Sequence, residues 1–279
     1  MATHYSDYDP ATTEMCERVL VTLLGDIGPW SNWVTLVGGL APRYIVGALP
    51  PGVQHVATND IDVVLQVALD DVEAEAYTTL ATNLRRARFT PGESSYQWMR
   101  KIDEYEIVLE FLCDTDRVEA GRIFKPKDQK AGSALGAVNV PGASLAIADA
   151  SVHQLSAERI GGGRSAVELR VTNLLPFIVL KTRAFQDRHE PKDVYDLVFC
   201  LIQHLDGPSG AAAACETSPV RRNERVEAAL ALLGERFASV ETDGPHAYAA
   251  FLAERGDEEQ VARFRQDAYA AVTQFLERM

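Results

Sequence analysis

Two aspartates stand at the head of an apolar run in Thr58-Asn59-Asp60-Ile61-Asp62-Val63-Val64-Leu65. Side chains on a strand alternate faces, so Asp60 and Asp62 project the same way. Adjacent anions repel, and one of them tends to take up a proton unless a cation lies close by. A hard divalent ion such as Mg2+ or Mn2+ resolves that conflict through oxygen ligands. The plain alternative is a solvent-facing strand edge or a turn cap. A second apolar strand, Glu106-Ile107-Val108-Leu109-Glu110-Phe111-Leu112, carries Glu110 in its interior. A carboxylate there is costly unless it is paired, at a rim or on a metal. Glu106 on the same face and Asp114 beyond the strand's end are fallback candidates. Were the two strands neighbours, three carboxylates would converge, a donor set suited to two-metal phosphoryl or nucleotidyl transfer.

Residues 34–44, VTLVGGLAPRY, read as a buried strand, two glycines and a helix start at Pro42. Gly38 and Gly39 lack a Cβ, so a phosphate can approach the backbone and meet N–H groups there. The same pair also suits an ordinary tight turn. Arg43, Arg183 and Arg188 are candidate phosphate contacts, with solvated arginines as the default. Lys181, on a helix, can neutralise a triphosphate as a point charge or simply face water. Asp193 and Asp196 share one helical face, with Lys192 elsewhere on that turn, and Asp193 also suits the dipole of the helix that Pro191 opens. The six histidines show no triad or ligand spacing, and a satisfied or exposed imidazole is expected for His55 and His189. Residues 161–164, Gly-Gly-Gly-Arg, lack a phosphate-loop lysine and read as a turn between strands.

These residues need a framework. Apolar β-branched runs at 34–37, 61–67 and 105–112 alternate with helical patterns before residue 150, as in α/β chains. Met15, Val19, Leu20, Leu23 and Leu24 mark an opening amphipathic helix over 11–24. Asp70 can cap a second, with Asp71, Glu73 and Glu75 near its start, running to about Arg88. Asn173 can cap a third with Pro176 near its start. Residues 207–223, with Gly, Pro, Ser and an Ala run, read as an exposed linker. A later helix passes through Val261, Phe264, Ala268, Val272 and Phe275. The expected division is an α/β domain over 1–150 and a mainly helical domain over 151–279.

The chain has 279 residues, 47% of them hydrophobic and 24% charged, which excludes global disorder. No apolar run approaches the roughly 20 residues of a membrane span, and the polar, acidic start lacks a secretory pattern. A cytoplasmic protein without a membrane partner is expected. Four scattered cysteines indicate neither a zinc site nor a disulfide framework, but buried thiols. The formal net charge of −13 argues against broad nucleic-acid binding, which draws on cations that displace counterions. One local basic stretch, 117–130, holds Arg117, Arg122, Lys125, Lys127 and Lys130 against Glu119 and Asp128, and a solvated loop is its plain reading.

Gly-Gly, then Asp-x-Asp in a strand about twenty residues later, then a single strand carboxylate about fifty residues on, resembles the polymerase-β-type nucleotidyltransferase superfamily. Lys181 and the later segment Arg188-His-Glu-Pro-Lys-Asp-Val-Tyr-Asp-Leu197 are similar to motifs of the AbiEii-type toxins. The resemblance covers roughly residues 34–200. It implies a mixed sheet flanked by helices, with a helical C-terminal domain closing a cleft over the nucleotide. By position it makes Asp60 and Asp62 the metal pair, Glu110 the third carboxylate, Gly38 and Gly39 the phosphate loop, and Lys181 and Asp193 further catalytic residues. Leu40 stands where the family has Ser or Thr, and Asn59 where it has Lys. The implied activity is Mg2+- or Mn2+-dependent transfer of NMP from an NTP to an acceptor hydroxyl. The family suggests the tRNA 3′ end as acceptor and a toxin role beside a cognate antitoxin. Two other readings are nucleotidylation of a small molecule such as an aminoglycoside, which an acidic cleft would attract, and a non-catalytic binding or antitoxin protein that keeps the fold.

Overall fold

A computed structural model describes residues 4–26, 33–55, 58, 60–66, 73–126, 135–254 and 256–279. Asn59, the Asp70–Asp71 cap and Lys127, Asp128 and Lys130 of the basic stretch lie outside the described residues. The chain forms a mixed α/β protein that divides into two compact units. One comprises Pro10–Ala41 and Ala57–Thr172; the other comprises Met1–Asp9, Pro42–Val56 and Asn173–Met279.

The first unit is built on a mixed open sheet. Its strands are β1 (Val34–Val37), β2 (Asp60–Leu65), β3 (Thr90–Pro91), β4 (Gln97–Ile102), β5 (Tyr105–Cys113), β6 (Ile123–Phe124), β7 (Ala137–Asn139), β8 (Ala150–Glu158) and β9 (Arg164–Thr172). The spatial order is β3-β4-β5-β2-β1-β9-β8, with β7 beside β5 and β6 beside β7. β2 runs parallel to β5, and β1 parallel to β9, while β1–β2, β4–β5 and β8–β9 are antiparallel. Alternation shapes β2 and β5. Ile61 and Val63 face the core with Ile107, Leu109 and Phe111, whereas Asp60, Asp62 and Glu110 occupy the other face and are half-buried. Helix α1 (Pro10–Asp26) buries Met15, Val19, Leu20, Leu23 and Leu24, the residues that marked it in the sequence. α3 (Glu73–Arg86) buries Tyr77, Leu80, Ala81 and Leu84, and the short α4 (Ala143–Ala148) packs on β1, β2, β5 and β9.

The expected boundary at 150 moves to 172/173, because β8 and β9 pair along their whole length and β9 joins β1 at the sheet's centre. Gly161–Gly163 forms the turn of that hairpin, all three with positive φ.

The second unit is helical. It holds α2 (Pro42–Ile45), α5 (Leu174–Arg188), α6 (Pro191–Gln203), α7 (Gly207–Glu216), α8 (Glu224–Arg236), α9 (Asp243–Leu252) and α10 (Glu258–Leu276). Asn173 takes the N-cap position of α5 and Pro191 the first turn of α6, where its missing N–H costs nothing. The core is aliphatic and aromatic: Phe177, Val198, Phe251, Val272 and Phe275 are fully buried. Residues 207–216 are a helix rather than part of a linker. The Ala run is a strong helix former, Pro208 falls in the first turn where it is tolerated, and Ala211, Ala212 and Cys215 are buried. Among the described residues, no helix is long and apolar enough to cross a membrane.

Candidate functional site

Register, not sequence proximity, assembles the carboxylates. In the parallel β2–β5 pair Asp62 lies opposite Glu110 and Asp60 opposite Val108. On the far side of β5, Gln97 of β4 lies opposite Glu110, and on the far side of β2, Val37 lies opposite Asp62. One level of the sheet therefore reads Gln97, Glu110, Asp62, Val37 across four strands, and the next residue after Val37 is Gly38. Gln97 Nε2 donates to Glu110 Oε1 at 2.8 Å. Tyr96 is half-buried; burial first, then the charges of Glu110 and Asp62, raise its phenol above the ordinary value of 10.0.

The glycine bend is shaped around Asp62. Gly38 has φ +67°, and residues 38–40 form a single 3-10 turn after the extended Val37. A Cβ at Gly38 would fall 1.8 Å from Asp62 Oδ2 and 2.6 Å from its Cγ. Only glycine fits, by both conformation and space. Gly38→Ala is expected to lose the Asp62 rotamer and about 1–2 kcal/mol from the left-handed backbone alone, with the clash in addition. A thermal melt and Mn2+ titration of the variant check both. Pro42 does begin a helix, but one of four residues, too short to aim a stack of N–H groups at an anion.

The fallback acids have other work. Asp114 Oδ2 accepts from Gly142 N (3.0 Å), Ser144 N (3.3 Å) and Ser144 Oγ, closing the turn into α4. Glu106 is exposed and lies opposite Lys101. Cys16 donates its S–H to the Thr58 carbonyl at 3.1 Å; burial, and then the charges of Asp60 and Glu17, push its thiol up to about 12. All four cysteines are free and buried.

The donor set of Asp60, Asp62 and Glu110 suits a hard divalent ion, being all carboxylate and on one sheet face. Among the described residues, no three His, Cys, Asp or Glu side chains converge closely enough to cage an ion by themselves. The three acids share one sheet face instead, Asp60 and Asp62 along β2 and Glu110 across from Asp62.

The helical unit holds a second ionic cluster, and here Lys181 and Asp193 meet. Lys181 is 7% exposed and donates to Asp193 Oδ1 (2.9 Å) and Asp196 Oδ2 (2.6 Å). Burial alone would favour its neutral amine, but the two aspartates outweigh that and hold it above its ordinary 10.5. Arg188 clamps Asp193 with Nε and Nη2, each at 2.7 Å. Asp196, fully buried, also accepts from Lys192 Nζ (2.9 and 3.0 Å) and from His55 Nε2 (2.9 Å). Despite burial, both carboxyls are held below the usual carboxylate range, chiefly by Lys181, with Arg188 acting on Asp193 and Lys192 on Asp196. Burial lowers His55 below 6.5 in spite of Asp196. Its ring lies stacked on Tyr195 (5.4 Å) and edge-on to Phe199 (4.8 Å).

Lys181 is thus neither a surface lysine nor an uncommitted cation. Lys192, expected elsewhere on the turn, bonds Asp196 one turn on. Arg43 sits on α2, partly exposed, in the helical unit, and Arg183 likewise on α5. The residue the sequence did not single out is Gln97; Asp196 and His55 were both named there, but not as partners of each other. A buried Asp-Lys-His set leaves one sequence signal, an acid inside the apolar stretch Val194–Leu201 of α6. No family model, curated protein or solved structure matches the chain.

Proposed function

We propose that the chain is a metal-dependent nucleotidyltransferase that passes NMP from an NTP to an acceptor hydroxyl and releases pyrophosphate. The acceptor is RNA, in the first instance the tRNA 3′ end, and the setting is a toxin with a cognate antitoxin. The observation that carries the reaction class is the alignment of Asp62 with Glu110 on one face, with Asp60 two residues away and the Gly38 bend against Asp62. Three carboxylates kept on one sheet face repel one another, an arrangement that cation binding favours. The nucleotidyltransferase-type fold belongs to the same proposal.

In this reading Asp60 and Asp62 would hold the divalent metal, with Glu110 completing its shell. A bound Mg2+ or Mn2+ supplies charge neutralisation and Lewis acidity at the triphosphate. Glu110 receives the proton of the attacking hydroxyl at its carboxylate. The acceptor oxygen bonds to the α-phosphorus as the α–β bridging P–O bond breaks, so pyrophosphate leaves with the bridging electron pair. The glycine bend excludes side chains from the space beside Asp62.

The test is incubation with each labelled NTP, Mg2+ or Mn2+, and total tRNA, following label transfer and pyrophosphate release. RNA labelling that needs the metal is the expected result. Pyrophosphate release driven by a polycationic small molecule but not by RNA would move the acceptor to the aminoglycoside class. Nucleotide binding with no transfer to any acceptor would sink the enzyme reading in favour of a binding protein.

A further inference from the structure

We infer that Gln97 is a positioning residue for the cation site, fixing the Glu110 carboxylate beside Asp62 through its side-chain amide. The inference rests on the nucleotidyltransferase reading and adds a residue to it. Gln97 is anchored on three sides. Its N–H donates to the Ser94 carbonyl (2.9 Å), its carbonyl accepts from Gly92 N (2.8 Å), and its strand register sets it opposite Glu110. A Cβ at Gly92 would come within 3.0 Å of Gln97 Cβ, so the turn before β4 closes tightly on this side chain.

The choice of residue type matters. A lysine or arginine at this place would pair with Glu110 as a salt bridge and compete with an incoming cation for it. An apolar residue would remove this hydrogen bond from the carboxylate. A neutral amide donor holds one oxygen, Oε1, and adds no positive charge of its own beside the group. This is the role of outer partners at metal sites, which orient a ligand and whose removal costs roughly 10–100-fold in metal affinity.

The test is Mn2+ binding to the full chain, read from the free-manganese electron paramagnetic resonance signal, with thermal midpoints alongside. The wild type is expected to bind Mn2+ with an affinity that Asp60→Asn/Asp62→Asn abolishes. Gln97→Leu is expected to bind about tenfold more weakly with its midpoint close to wild type. Gln97→Lys separates positioning from plain cross-strand support. It is expected to hold or raise the midpoint by pairing with Glu110, yet to bind Mn2+ more weakly than Gln97→Leu. Wild-type affinity in both Gln97 variants would overturn the role of Gln97 while leaving the metal reading intact. A wild type that binds no Mn2+, or binding that survives the double aspartate substitution, would overturn both.

Discussion

Asp60→Asn/Asp62→Asn is expected to abolish NMP transfer, by at least about a thousandfold, while leaving the fold as stable as the wild type or more so. Asparagine keeps the volume and the strand geometry of each position and removes only the charge. On the proposed function, loss of the metal's carboxylates would forfeit the neutralisation of a triphosphate, an effect of several kcal/mol, and about 4 kcal/mol in the barrier is a factor of about a thousand. Stability moves the other way. Asp60 and Asp62 share a face at adjacent same-side positions of β2, and Glu110 lies across from Asp62; neutralising two of three like charges relieves repulsion. The pairing of these two signs is diagnostic. Label transfer on RNA and a thermal melt measure them, and transfer that survives, or a melt lowered as by a broken ion pair, would remove these carboxylates from the chemistry.

The same contrast explains how much of the site was legible from the sequence. Asp60, Asp62 and Glu110 announce themselves because each interrupts an apolar strand pattern, and the structure puts the two strands side by side with Asp62 opposite Glu110. Helices α1, α5, α6 and α10 were legible from caps, prolines and apolar spacing. Partnerships formed across the chain were not. His55 meets Asp196 over 141 residues, and no local pattern encodes that pairing. Gln97 is an unremarkable polar residue until β4 sets it against Glu110. Helix α7 was hidden because glycine and proline at its start outweighed, in a linear reading, the helix propensity of the alanines behind them. Residues 150–172 look detached from the sheet because β9 reaches its neighbour β1 only after more than a hundred intervening residues.

Asp196→Ala should be the most destabilising single change in the helical unit. Asp196 is fully buried and is shared by Lys181, Lys192 and His55. Removing one partner of a buried ion pair leaves its charge stranded, at a cost of about 3–5 kcal/mol, and here two ammonium groups lose a counter-charge at once. Lys181 keeps Asp193, so Asp193→Ala with Asp196 intact should cost less, since exposed Arg188 can return to water. The pH dependence follows from the directions of the shifts. Asp193 and Asp196 sit below their ordinary 3.8, so their contribution is present above that value and is lost as pH falls through their folded values. His55 sits below 6.5, so the unfolded chain takes up its proton first, and stability declines as pH drops from 6.5, by up to about 1.4 kcal/mol per unit. On the alkaline side Lys181, raised, loses its contribution as pH climbs beyond 10.5, while Lys192, lowered by burial and by Lys181, opposes that trend. Urea unfolding midpoints between pH 8 and pH 3 should therefore fall in two stages in the wild type. The first should be absent in His55→Phe and the second reduced in Asp196→Asn. A midpoint flat from pH 6.5 to 4 in the wild type would mean that burial does not lower His55.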